Sequence, residues 1–98
     1  MGSTTQFPFG AWIACRATAS PKAEEAIVGI VAIDEDRPIE FFVDRSLVQP
    51  DSLKIDASID AQVQVTVLHS ENGTTVITVP GEPITFGPRL TIPTRLLI

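Results

Sequence analysis

The sequence predicts an all-β fold: a small antiparallel barrel or sandwich of six to seven strands with at most one short helix. Three observations carry this. Among the 98 residues, 11 are Ile, 9 Val and 10 Thr, all β-branched, stiff at χ1 and suited to a pleated surface. From Leu53 to His69 apolar and polar residues alternate strictly, the pattern of strands with one dry face. Asn72-Gly73 then divides two such runs, and Pro80-Gly81 and Gly87-Pro88 cut the remainder into short segments. The length suits one domain, residues 1–98, in which Pro8 and Gly10 mark 1–10 as a loose N-terminal segment.

In chain order, Trp12 to Ala17 reads as the first strand. Ser20-Pro21 follows with Glu24 and Glu25 close behind, a helix-start signature that predicts one or two helical turns. Ala26 to Ile33 is apolar throughout and fits helical spacing as well, but its β-branched residues and Gly29 favour a strand. A five-residue turn, Asp34 to Pro38, returns the chain into Ile39–Asp44. That loop sets Ile33 opposite Ile39, Val31 opposite Phe41 and Gly29 opposite Val43.

Gln49-Pro50-Asp51 marks the next loop. The alternating run from Leu53 to His69 would exceed about 50 Å as a single strand, so a break is expected near Ser58 to Ala61. After it, a three-residue loop Glu71-Asn72-Gly73 pairs Val67 with Ile77 and Val65 with Val79. A two-residue Asn72-Gly73 loop would instead mix polar with apolar partners. Ile84 and Phe86, then Leu90, Ile92, Thr94, Leu96 and Ile98, complete the strands, with Pro93 restricting the last to an edge or a bulge.

The formal net charge is −5 and divides evenly between the halves of the chain. Arg16, Lys22, Arg37, Arg45, Lys54, Arg89 and Arg95 are scattered, whereas phosphate-backbone binding needs them clustered, so nucleic acid is not the expected partner. One cysteine excludes an internal disulfide and points to an intracellular, cytoplasmic protein. The N-terminal residues lack a positively charged leader, and the longest apolar run, Ala26 to Ile33, is too short to span a bilayer.

Chemistry-bearing residues are sparse. His69 is the only histidine and has no triad or zinc partners in the sequence; Cys15 falls in a strand, where a free thiol behaves as a small apolar group. Asp34-Glu35-Asp36 lacks calcium-loop spacing, and Glu24/Glu25 and Asp56/Asp60 read as solvated carboxylates. Asn72-Gly73-Thr74 is turn chemistry, and no glycine-rich phosphate loop occurs. Phe7, Phe9 and Trp12 are expected to plug one end of the barrel. No catalytic residue, metal site or cofactor is therefore assigned, and no resemblance to a known family holds over more than a few residues.

The expected function is a non-enzymatic interaction or assembly module whose partner is itself or another protein, a homo-oligomer being the simplest form. Its interface is read from apolar residues on the second side of each hairpin: Val28, Ile30 and Phe42 in the first, Leu68 and Val76 in the second. The alternatives are a small-molecule-binding or catalytic barrel with an apolar interior, and a barrel for single-stranded nucleic acid.

Overall fold

Two strand-forming runs, one near each end of the first two-thirds of the chain, find each other and form the middle of the fold. The computed structural model describes residues 8–33, 35–50, 52–79 and 89–98. Strand β1, Phe9–Ala19, lies antiparallel to the long strand β5, Ile59–Glu71, with Phe9 opposite Val67, Ile13 opposite Val63 and Ala17 opposite Ile59. Residues of like pattern thus share a face: Ile13, Ala17, Ala61, Val63, Val65 and Val67 are buried, while Ala14, Arg16, Asp60 and Gln64 are exposed. At about 1.5–3 kcal/mol for each fully buried Val or Ile, Ile13, Val63, Val65 and Val67 make this face a substantial part of the core.

The other strands add to this pair on both sides. Strands β2, Glu25–Ile30, and β3, Ile39–Asp44, extend the sheet beyond β1. Strands β6, Thr74–Thr78, and β7, Arg89–Pro93, extend it beyond β5, and the two-residue strand β4, Val48–Gln49, also joins β5. The resulting antiparallel sheet, ordered β3-β2-β1-β5-β6-β7, curls into a half-barrel around one apolar core. Ile33 N–H donates to the Thr91 carbonyl at 2.8 Å and Ile98 N–H to that of Trp12 at 3.0 Å, so the far strand and the C-terminal residues are drawn back toward the first strands. The all-β class and small-barrel architecture expected from the sequence are what the chain adopts.

Several local expectations are corrected. No helix follows Ser20. Ala19 pairs with Ala26, which leaves a connection too short for stable helical turns, and the reversal is held by Ser20 Oγ accepting from Lys22 N–H (3.2 Å) and Lys22 O accepting from Glu25 N–H (3.1 Å). The only helical pieces among the described residues are two 3-10 turns, Arg45–Leu47 and Thr94–Leu96. The second occupies what the sequence reads as the end of the last strand. Val48–Gln49, read as the edge of a loop, is instead a short strand on β5. The expected break falls before Ile59, and Ile55, assigned to the dry face, is 71% exposed.

The β2–β3 register is shifted by three residues. Ile30 faces Ile39, Val28 faces Phe41 and Ala26 faces Val43. An odd shift exchanges the faces. The choice is made by β1: Ala17 opposite Val28 and Ala19 opposite Ala26 turn the even residues of β2 inward, while Val31 to Ile33 leave the pairing and reach β7.

The β5–β6 turn is the two-residue Asn72-Gly73 loop, with φ of 53° and 81°, both in the left-handed region that such hairpin turns require. Glu71 faces Thr74, but a bulge between Val67 and His69 takes up Leu68 and restores Val67 opposite Ile77. The predicted core residues Val65, Val67, Ile77 and Val79 are therefore all buried. Trp12 lies beside Gln64 on the outer side of β1, between inward Ala11 and Ile13, and does not plug the barrel; Phe9 is 36% exposed, and Phe7, Ile84 and Phe86 lie outside the described residues.

Candidate interaction surface

Of the five residues expected at an interface, Val28 and Ile30 are fully buried by the chain's own core, a direct result of the three-residue shift. Phe42 is 42% exposed, and Leu68 and Val76 are half-buried. They do not form one patch. Phe42 is on β3 and Val76 on β6, with β2, β1 and β5 between them in the sheet.

The surface that does emerge is the outer face of β2 and β3. Its register gives three cross-strand pairs: Glu25 with Asp44, Ile27 with Phe42 and Gly29 with Glu40. One apolar pair is thus bordered by carboxylates. An open groove of about 310 Å³, lined by Pro21, Lys22, Glu25 and Phe42, lies on one side of it. A second, of about 350 Å³, runs over Ile27 and Gly29 toward Arg37, Pro38 and Glu40.

Arg16 and Ser58 form one wall of the second groove, and Arg16 is held there by its partners. It is opposite Gly29 on one side and Asp60 on the other, and its guanidinium donates to Asp60 Oδ1 (2.6 Å), Ser58 O (2.9 Å) and Ser58 Oγ (3.2 Å). Both partners of this ion pair are well exposed, so its worth is about 1 kcal/mol or less; its effect is positional. Gly29 itself has no positive φ, and a Cβ there would meet Pro38 Cβ at 3.5 Å and Glu40 Cγ at 3.9 Å, ordinary contact distances. Neither backbone nor sterics demand glycine. A glycine inside a strand weakens it, and strand glycines often mark a bulge, a bend or a place where another group comes close to the backbone.

β3 also ends the sheet. Arg45 N–H donates to Glu24 O at 2.8 Å, which makes that pair a hydrogen-bonded one. By alternation Val43, Phe41 and Ile39 direct their amides and carbonyls at β2, and Glu40, Phe42 and Asp44 direct theirs away from it. Among the described residues no main-chain group answers them. Asp44 is fixed by Ser46, whose Oγ (2.7 Å) and N–H (2.9 Å) both donate to its Oδ1; these hydrogen bonds hold its carboxyl below the usual range and keep it anionic.

The chemistry-bearing residues named from the sequence stay apart. His69 Nε2 lies 3.3 Å from Glu71 Oε2 on the surface. The Cys15 thiol is pushed up to about 12 by burial, which makes it a poor nucleophile at neutral pH. Among the described residues no three His, Cys, Asp or Glu side chains gather into a metal-binding group, and no helix is long and apolar enough to cross a membrane. Glu35 and Asp36 are exposed, and Asp34 lies outside the described residues. Sequence reasoning missed Ile27, Gly29 and the open edge of β3. The available signal was Gly29, a glycine inside a β-branched run.

No known protein family matches the chain, and no curated protein or solved structure matches it.

Proposed function

We propose that this protein is a non-enzymatic interaction module that meets another protein through the outer face of β2–β3 and the adjoining edge of β3. The observation that carries this reading is the pairing of Ile27 with a 42%-exposed Phe42 at the last strand of the sheet, flanked by a groove floored by a glycine that the backbone does not require. Isolated exposed apolar residues are ordinary on protein surfaces. Here the apolar pair coincides with main-chain groups that no other described residue answers, the combination used when an extended segment is added to a sheet. A half-barrel interior filled by side chains gives less support to a ligand-binding or catalytic barrel.

A photoreactive phenylalanine at position 42, compared with one at exposed Thr91 on β7, tests the surface in cells. The expected result is a discrete cross-linked protein adduct from position 42 that disappears with Ile27→Ser and is absent from position 91. No adduct at 42, or equal adducts at both positions, would refute the reading.

A further inference from the structure

The sequence around β3 is rich in acids, and two of them stand on the strand itself, between Arg37 and Arg45. Residues 22–45, the β2–β3 hairpin with its flanks, hold seven acids and three bases, so they carry −4 of the total −5. On the outer side of β3 the order is Glu40, Phe42, Asp44: acid, apolar, acid, each with its amide and carbonyl directed off the sheet.

Resting on the docking surface proposed above, we infer that its occupant is an extended basic segment of another protein that pairs along β3, with Lys or Arg opposite Glu40 and Asp44 and an apolar side chain opposite Phe42. In a ladder the side chains of directly opposed residues share a face, so the complement of acid-x-apolar-x-acid is cation-x-apolar-x-cation, and its symmetry suits either strand direction. The residues of β3 that bond to an incoming strand are the same three that bear these side chains. Gly29 carries no side chain beside Glu40, and the Arg16 guanidinium lining the same groove is paired with Asp60, so the stem of a long basic side chain can lie along apolar surface there while its head stays in water.

A second copy of this chain fits the edge less well. If two β3 strands pair about Phe42, Glu40 meets Asp44 of the partner twice. Sliding the pairing by one step in either direction sets a carboxylate against a phenyl ring instead. Like charges directly opposite destabilise a ladder.

The test is an NMR titration of the whole chain with the peptide Thr-Lys-Thr-Val-Thr-Lys-Thr, alongside versions with Glu in place of Lys and with Ser in place of Val. The Lys–Val peptide should shift the amides of Glu40, Phe42 and Asp44 and slow their hydrogen exchange, with a midpoint about tenfold below that of the Glu peptide. Raising salt should weaken it. Glu40→Lys should abolish the preference, and Phe42→Ala should remove the difference between Val and Ser peptides. Asp44→Asn, which keeps an acceptor for Ser46, should lower affinity while leaving the fold intact. Equal binding of Lys and Glu peptides at these amides would overturn the basic occupant but leave the docking surface standing. Concentration-dependent shifts of the same amides without peptide would replace the basic segment by a second copy. No shift with any peptide would overturn the inference, and loss of the position-42 cross-link as well would remove the surface with it.

Discussion

Val67 faces Ile77 across β5 and β6 although the turn joining those strands is one residue too short for that pairing, because Leu68 is taken up as a bulge between them and the turn. The Asn72-Gly73 geometry alone would place Val67 against Thr78. The bulge thus lets a favourable turn and a favourable core coexist.

Val67→Ala should therefore cost at least about 1 kcal/mol, from lost transfer energy and an unfilled cavity. Deleting Leu68 should cost less, since it removes the extra residue and leaves an unbulged two-residue hairpin in which Val67 still faces Ile77 and His69 still faces Val76. Urea denaturation of both variants checks the order. A Leu68 deletion that costs more than Val67→Ala would show that this residue does more than reconcile the turn with the core.

The alternation of β5 was legible in the sequence because Asp60, Gln62, Gln64 and Thr66 mark its outer side at every second residue, whereas in β1 the outward Gly10, Trp12 and Ala14 give no such mark. Ala26 to Ile33 has no polar residue at all, so its pattern is silent about which face turns in. Contacts with β1 and β7, far apart in the chain, decide that face. The misassignment of Val28 and Ile30 to an interface follows from this, while Phe42, bordered by Glu40 and Asp44, was placed on the outside because its own strand alternates. The bulge at Leu68 was hidden for a related reason: two local rules, turn type and facing pairs, were read as alternatives when one inserted residue satisfies both.

Thr75 is fully buried, and its Oγ1 lies 2.9 Å from Ser70 Oγ and 2.8 Å from Thr94 Oγ1. These hydroxyls join the hairpin to the turn after β7, as does Thr94 N–H donating to Gly73 O at 2.9 Å. Thr75→Val keeps the shape but leaves two partners short of a bond, so a loss of about 1–2 kcal/mol is expected. Thr75→Ser, which keeps the hydroxyl, should lose less of the network and show its cost mainly as a missing methyl. Thermal unfolding of the two variants separates the contributions; equal stability of Thr75→Val and the parent would remove the network from the account.

Gly29→Ala should stabilise the fold by about 0.5–1 kcal/mol, because the unfolded chain loses freedom and the added Cβ makes only ordinary contacts with Pro38 and Glu40. The same change should weaken binding of the Lys–Val peptide. Stability and affinity moving in opposite directions is the outcome that separates a functional glycine from an incidental one; a variant that gains stability with unaltered binding would show the groove to be idle.

Burial raises Cys15 in the folded state, so the native protein holds the thiol proton at a pH where the unfolded chain has released it. The unfolded state then binds fewer protons than the native state, and stability falls as pH rises. The loss begins above the ordinary thiol range, about 8.5, and is complete once pH passes the folded value of about 12. Denaturation midpoints between pH 8 and 11 should fall more steeply for the parent than for Cys15→Ala. Iodoacetamide should label Cys15 far faster in urea than in native buffer. Rapid native labelling would place the thiol in water and remove the basis for both expectations.

The acids of β3 should also act as a barrier to self-pairing. An edge strand with free main-chain groups and an exposed phenyl ring is a template for another copy, and charged side chains on the edge are a common means of blocking it. Every register that opposes two β3 strands sets a carboxylate against either a carboxylate or a ring, so the parent chain is expected to sediment as a monomer at micromolar concentration. Glu40→Thr combined with Asp44→Asn removes both charges, retains the Ser46 contact and leaves a strand of high β propensity, and this variant should dimerise or aggregate in proportion to concentration. Phe42→Ser added to it should restore the monomer. If the parent itself self-associates and the charge-removed variant does so no more strongly, the carboxylates do not guard the edge, and the self-associating assembly expected from the sequence becomes the better account of Phe42.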